Sequence, residues 1–287
     1  MKDTECIELL QWALPRMGLR WSGFRKVRRQ ACKRISRRMR ELGLETPDAY
    51  RSLLERDPDE WQVLDAACRI TISRFYRDKH VFDVLAKSIL PEIAKQAQEE
   101  ARAVRCWCAG CASGEEVYTL AILWDRMIAD AFPSLEFEII GTDADPVMIK
   151  HADKACFSSG SLKDMPPEWL GSTFGQSDSA YCVKAHHRRN VTILDQDIRE
   201  EMPEGPFDLV LCRNLVLTYF KESLQCRILG RIAARLRSGA YLVIGAHESL
   251  PDGVAELEPV SECREIFAFS EGRVTFTGKQ SAQSLLG

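Results

Sequence analysis

Over the first seventy residues the apolar positions recur at helical spacing. Phe24, Val27, Ala31, Ile35, Met39 and Leu42 follow one another three or four apart, the stripe of an amphipathic helix with one face on a core. Gly43 is placed to end that helix. Two more helices are predicted over about 46–54 and 58–67, because Thr46 and Asp57 each precede a proline, an N-cap followed by Pro in the first helical position. Strand-like alternation is missing here, so residues 1–70 read as an all-helical domain and 71–100 as a linker with a connecting helix.

The texture changes after about residue 100. Short β-like runs over 104–109, 137–142, 191–194, 207–212 and 240–246 alternate with helical patterns over 115–129, 146–155 and 222–236. That alternation predicts an α/β domain over 101–287 with a mostly parallel sheet. A closing hairpin is expected from 265–269 and 273–276 around Glu271-Gly272. A smaller hairpin is expected from 181–185 to Val191, in a β-subdomain over about 175–192, and the tail from Gly278 reads as frayed.

The 287 residues, 45% hydrophobic and 28% charged, exclude disordered and low-complexity classes. The chain has no apolar run near the roughly 20 residues needed to cross a bilayer, and its start lacks the pattern of a secretory signal. A cytoplasmic protein, not embedded in a membrane, is expected. The 11 cysteines are odd in number and scattered, unlike a small secreted framework. Cys106, Cys108 and Cys111 cluster without a second ligand pair, so they read as buried free thiols and no metal is expected.

Charge alters the reading of the first helix. Residues 20–40 hold ten Lys or Arg and no Asp or Glu, although the whole chain has a net charge of -3. Solvated helices usually mix signs, because like charges at i,i+4 repel. A partner-facing helix is therefore favoured over a merely solvated one. Nucleic acid, an anionic membrane or an acidic protein would each satisfy the electrostatics.

Candidate chemistry gathers where the first strand meets a helix. Cys108-Ala109-Gly110-Cys111-Ala112-Ser113-Gly114-Glu115-Glu116 places small residues at a strand-to-helix turn, where backbone can pass close to a ligand at the helix N-terminus. Asp143, ending the second strand, is placed to accept hydrogen bonds from two ribose hydroxyls. The competing readings are caps: Glu116 with Ser113 as a capping box, and Asp143 or Asp145 ahead of Pro146. Capping is favoured for Asp145 and a ligand for Asp143. A closing hairpin, with Ala112 where the dinucleotide fingerprint has its middle glycine, favours S-adenosylmethionine over NAD.

Four segments together resemble one family. Ile72-Ser73-Arg74-Phe75-Tyr76-Arg77-Asp78, the Gly-rich turn 108–116, Gly141-Thr142-Asp143-Ala144-Asp145, and 207–220 with its Cys212-Arg213-Asn214 and Tyr219-Phe220 look like the CheR family, the chemoreceptor glutamate O-methyltransferases of bacterial chemotaxis. Order and spacing match over about residues 20–250. The resemblance implies a Rossmann-like class I methyltransferase sheet with an all-helical N-terminal domain and a small β-subdomain. It implies S-adenosylmethionine as cofactor, with S-adenosylhomocysteine as product. Thr71, Ser73, Arg77 and Gly110 would line its pocket, and Glu116 and Asp143 would hold its amino-acid and ribose portions. Asp197 and Ile198 would flank the adenine, and Asn214 and Leu215 would close around the cofactor. Arg77 and Tyr219 would position the acceptor carboxylate. The implied partner is an acidic helical protein such as a chemoreceptor cytoplasmic domain, docked through the basic helix 20–40, with nucleic acid disfavoured and a monomer expected.

Some positions depart from the family pattern. Thr71 and Ser73 stand where Asn and Thr are common, and Asp197-Ile198 replaces Asn-Leu. Glu115-Glu116-Val117-Tyr118-Thr119 stands for Glu-Glu-Pro-Tyr-Ser. The stretch between Phe174 and Val191 is a few residues shorter than in members that grip a receptor's C-terminal tether. Two alternatives stay open: a different acceptor (a small-molecule carboxylate, a thiol or another protein), or a non-catalytic regulator that binds S-adenosylmethionine.

Overall fold

A computed structural model describes residues 1–177, 180–252 and 256–270. The N-terminal part holds helices α1 (Asp3–Ala13), α2 (Trp21–Phe24), α3 (Arg28–Glu41), α4 (Pro47–Arg56) and α5 (Pro58–Cys68). The basic stretch is therefore not one helix. Gly23 of α2 lies so close to the Thr218 carbonyl that any Cβ would collide with it, and the chain turns between Phe24 and Arg28 before α3 starts. Ala31, Ile35 and Met39 form the buried stripe. Gly43, at φ +67°, ends the helix as its sequence position suggests, with Leu44 N–H donating to Met39 O at 2.8 Å. Thr46 accepts from Ala49 N–H and Asp57 from Asp59 N–H, capping α4 and α5.

An irregular linker leads to α6 (Lys79–Val84), one π-type turn and α7 (Leu90–Glu99). The main sheet then forms from β1 (Val104–Ala109), β2 (Phe137–Asp143), β6 (Val191–Asp195), β7 (Phe207–Leu211), β8 (Leu236–Val243), β9 (Leu257–Val260) and β10 (Cys263–Phe269). Their order is β6-β2-β1-β7-β8-β10-β9, with β10 antiparallel to both its neighbours. Helices α8 (Glu115–Met127), α9 (Pro146–Lys154), α11 (Val216–Tyr219) and α12 (Glu222–Ala233) connect the parallel strands. A second, three-stranded sheet has the order β3 (Cys156–Phe157), β5 (Ala180–Val183), β4 (Phe174–Ser177), with α10 (Pro167–Thr173) leading into β4.

The strand expectations fail in two places. Residues 181–185 do not form a hairpin with Val191. β5 pairs with β4 and β3, whereas Val191 opens β6 at the edge of the main sheet, opposite Ile139. A turn over Ala185–His187 separates them, anchored by buried His187 2.6 Å from Asp125. The strand expected over 240–246 begins earlier, at Leu236, because Leu236 already pairs with Phe207. The closing hairpin joins β9 to β10 across 261–262, and residues 273–276 lie outside the described residues. Four cysteines are not free: Cys6 is bonded to Cys32, and Cys156 to Cys182. The cluster of Cys106, Cys108 and Cys111 is free and buried.

The period-two alternation of β1 sorts its side chains between two cores. Val104, Cys106 and Cys108 face one layer with Leu120, Leu123 and Ile93 of α8 and α7. Trp107 and Ala109 face the other, with Ile228 and Ile232 of α12. That second core runs on without a break into Leu9, Leu10, Phe24 and Ile35 of the helical part. Each such fully buried side chain contributes about 1.5–3 kcal/mol, so the helical part is held mainly by apolar burial. A bridge between Leu19 and Phe220 reinforces the seam.

Candidate functional site

The site lies at the C-terminal ends of the parallel strands, where α/β sheets bind their ligands. After β1 the chain turns through Gly110 (φ +74°), Ala112 (φ +47°) and Gly114 (φ +92°). A Cβ on Gly110 would run into the Leu215 side chain, so glycine is needed for both dihedral and space. Gly110 and Cys111 N–H donate to Thr142 O at 2.8 and 2.9 Å, and Ala112 N–H to Asp143 Oδ2 at 2.8 Å. The turn is thus stitched to the end of β2. Asp145 N–H holds the other Asp143 oxygen, while Asp145 itself caps α9. Burial pushes the Asp143 carboxyl above its ordinary range, against the pull of those two N–H groups.

Two adjoining cavities meet at Ile70, Gly110, Asp143 and Leu215. The first, about 670 Å³, is walled by Thr71, Gln196, Asp197, Ile198 and Tyr219. The second, about 580 Å³, is walled by Ser73, Arg77, Glu116, Arg213 and Asn214. Every candidate cofactor and acceptor residue named from the sequence lines one cavity or the other.

Their bonding adds detail. Glu116 does not cap α8: its Oε2 accepts from Arg213 at 2.8 Å, and Ser113 donates to Glu115 instead. Burial raises the Glu116 pKa while Arg213 opposes the rise. Arg213, nearly enclosed, also donates to Asp78 Oδ2 at 2.6 Å and to Arg77 O at 3.0 Å, tying the linker to α8. Arg77 donates to Ile72 O at 3.0 Å and keeps part of its guanidinium at the cavity wall. Asp197 is gripped by Arg199 through side chain and backbone. Burial alone would raise its pKa, but Arg199 outweighs burial and holds it below the usual range. Arg199 reaches on to Asp65 of α5 with a bidentate pair at 2.6 and 2.7 Å. Tyr219 packs edge-on against Phe24 at 5.1 Å, and burial pushes its phenol up to about 12.

Four residues that hold the site went unread in the sequence. Glu248 accepts from Asn214 N–H and Gly245 N–H at one oxygen and from Thr218 at the other, fixing the turn that carries Asn214 (φ +55°). Arg213 had a signal, a lone charge inside an apolar run. Asp65 and Arg199 had none, being 134 residues apart.

The basic stretch is partly committed within the molecule. Arg20 donates to the Leu217 and Thr218 carbonyls, Arg28 to Asp3, Arg34 to the Arg69 carbonyl and Arg38 to buried Glu60. Among the described residues, Arg25, Lys26, Arg29 and Lys33 form no ion pair; all four are exposed.

A parallel sheet that closes with an antiparallel hairpin strand, with an acidic residue at the tip of β2 beside a glycine-rich turn, defines a Rossmann-like class I methyltransferase fold. The model of the CheR methyltransferase SAM binding domain matches residues 71–267, and that of the CheR methyltransferase all-alpha domain matches residues 28–64. The chain belongs to the CheR methyltransferase family, and its cofactor is S-adenosylmethionine. It is 32% identical over 220 residues to an uncharacterized 104.1 kDa protein of Rhodobacter capsulatus, covering 76% of this chain and 23% of that one. It is 29% identical over 181 residues to the chemotaxis protein methyltransferase of Listeria innocua, covering 63% of this chain and 66% of that one. With the chemotaxis protein methyltransferase of Salmonella typhimurium it shares 29% over 233 residues, 78% of this chain and 76% of that one. Thus the chain spans 23% and 66% of the length of the first two. The solved N-methyltransferase NodS of Bradyrhizobium japonicum, in complex with S-adenosyl-L-homocysteine, aligns with a TM-score of 0.34 at 15% identity, over 63% of this chain and 66% of that one. Among the described residues, no helix is long and apolar enough to cross a membrane.

The donor set fits the cofactor. The left-handed turn at Gly110 leaves a cradle that a side chain would fill, and Asp143 supplies fixed acceptors beside it. Gln196 Oε1, in the wall of the larger cavity, is buried without a hydrogen-bond partner among the described residues, an acceptor that a donor on a bound base would satisfy.

Proposed function

We propose that this chain methylates glutamate side chains of an acidic helical protein, such as the cytoplasmic domain of a bacterial chemoreceptor, and that it works in the cytoplasm. The observation that carries this reading is the joint between the two cavities. Arg77 lies on one side and Tyr219 on the other, with Gly110 and Leu215 between them. Asp143 would take the ribose hydroxyls, and Gln196, Asp197 and Ile198 would enclose the base. Ser73, Glu116 and Asn214 would receive the amino-acid portion, with Thr71 and Leu215 covering the middle.

When bound, S-adenosylmethionine supplies a methyl group on a sulfonium sulfur; the carbon–sulfur bond breaks as the ester C–O bond forms, and S-adenosylhomocysteine departs. A glutamate carboxylate is ionised at neutral pH, so the chain needs no general base. Its work is orientation and exclusion of water. Arg77 would grip the acceptor carboxylate, and the Tyr219 hydroxyl would donate one further hydrogen bond. The unpaired cations Arg25, Lys26, Arg29 and Lys33 would meet the acidic partner.

The test incubates the protein with methyl-labelled S-adenosylmethionine and a membrane-plus-cytosol extract containing unmethylated receptor. Alkali-labile label on a membrane protein, lost with Arg77→Ala, is expected. Alkali-stable label, or label on small molecules, would replace the glutamate acceptor with another. Cofactor binding without any transfer would leave a regulator.

A further inference from the structure

We propose that His80, Cys263 and Glu265 form a zinc site that clamps the linker helix α6 to the start of strand β10. The three residues come from two segments 183 positions apart, and the fold brings their ligand atoms within 4.8 Å of one another. Cys263 and Glu265 stand two apart on β10, so their side chains share one face of the strand. Both are buried. His80 enters from the first turn of α6 with its ring open to solvent.

Two of the three ligand-to-ligand edges already have tetrahedral length, and the third, from Cys263 Sγ to His80 Nε2, lies within 4.8 Å. His80 Nε2 lies 3.3 Å from Glu265 Oε2, and Cys263 Sγ lies 3.2 Å from that same oxygen. Zinc bonds of about 2.0–2.3 Å to N, O and S place neighbouring ligand atoms roughly 3.3–3.6 Å apart, so the first two edges need move only by tenths of an ångström. The other Glu265 oxygen accepts from Arg264 at 3.1 Å. This leaves Oε2 as a single oxygen ligand, oriented by an outer partner. The mix of thiolate, imidazole and carboxylate suits zinc over magnesium or calcium. Three protein ligands and one solvent-facing position make an open site, completed by water. On binding, the Cys263 thiol loses its proton to solvent and its sulfur forms the bond to the ion, so charge and atoms balance.

The site is separate from the cysteine cluster at Cys106, Cys108 and Cys111, which is buried in the core around β1. It lies at the same end of the sheet as the cofactor cleft, since Ile266 of β10 pairs with Val243, the last residue of β8. Asp78, two residues before His80, is held by Arg213. An ion here would therefore fix the linker just downstream of Arg77.

The experiment titrates cobalt(II), then zinc, into the chelator-stripped full chain with its disulfides intact. One equivalent of cobalt should produce a thiolate-to-metal charge-transfer absorption that zinc abolishes, and zinc should raise the melting temperature. Cys263→Ser should remove the absorption, while Cys226→Ser keeps it. His80→Ala, at an exposed position that leaves folding intact, should weaken zinc binding by more than about tenfold and lose the thermal shift. An absent charge-transfer band, a band unchanged in Cys263→Ser, or His80→Ala binding zinc like the parent would overturn the site and leave a hydrogen-bonded trio.

Discussion

Tyr219 is the residue whose environment makes the sharpest demand. Burial lifts its phenol to about 12, so the hydroxyl remains a donor across the range in which an ordinary tyrosine near 10 would ionise. Transfer activity should therefore show no alkaline fall attributable to this group between pH 9 and about 11. Stability behaves differently. The folded phenol holds its proton where the unfolded one loses it, so Tyr219 should reduce stability as pH rises from about 10 towards 12, and Tyr219→Phe should flatten that slope. On the proposed role for Tyr219, a hydrogen bond to the acceptor carboxylate, the same variant would lose about 1.5–3 kcal/mol. Steady-state kinetics should show kcat/KM for the protein substrate about 10- to 100-fold lower. The cap of α9 was legible because local spacing fixes its geometry: Asp145 abuts the proline that opens the helix and accepts from Val147 N–H. The capping alternative for Glu116 could not be set aside from local spacing, since its partner Arg213 lies 97 residues away.

Among the elements, α3 carries two jobs on opposite faces. Arg38 turns inward to buried Glu60 and Arg28 pairs with Asp3 at the surface, whereas Arg29 and Lys33, four apart, share an exposed face without an ion pair among the described residues. Reversing the exposed pair (Arg29→Glu with Lys33→Glu) should raise KM for an acidic acceptor about tenfold or more at low salt. The effect should shrink as screening increases, with cofactor affinity measured by calorimetry unchanged. An equal loss of cofactor affinity would make the stripe structural. The periodicity of 24–42 announced this helix, yet the break after Phe24 was hidden. Gly23, just before it, packs against the carbonyl of Thr218 so closely that a Cβ would collide, a contact between distant segments that local periodicity does not announce. The displaced hairpin at 181–191 has the same origin: alternation marks a strand but does not name its neighbour, and Val191 gains more by completing the main sheet beside β2.

At the scale of the molecule, the cleft has walls from both parts of the chain. Asp65 of α5 meets Arg199, which holds Asp197 in the cavity wall, and Arg69 reaches the Ala144 carbonyl beyond β2. Asp65→Ala should cost about 1.5–3 kcal/mol of stability and lower cofactor affinity about tenfold, by thermal melting and calorimetry. Asp48→Ala, which loses only a loose surface pair at 3.5 Å, should stay within about 0.5 kcal/mol. The α/β order was legible in the sequence because each strand–helix alternation is local, whereas the shared core and this latch depend on which surfaces meet. The latch also bears on inheritance. A helical domain exchanged with that of a relative would bring its own residue opposite Arg199, and without a carboxylate there the chimaera would fold with a loosened cleft wall at Asp197. Segments 58–68 and 196–199 must therefore change together or not at all, and a graft that respects the boundary drawn by the linker alone would cut through the cleft.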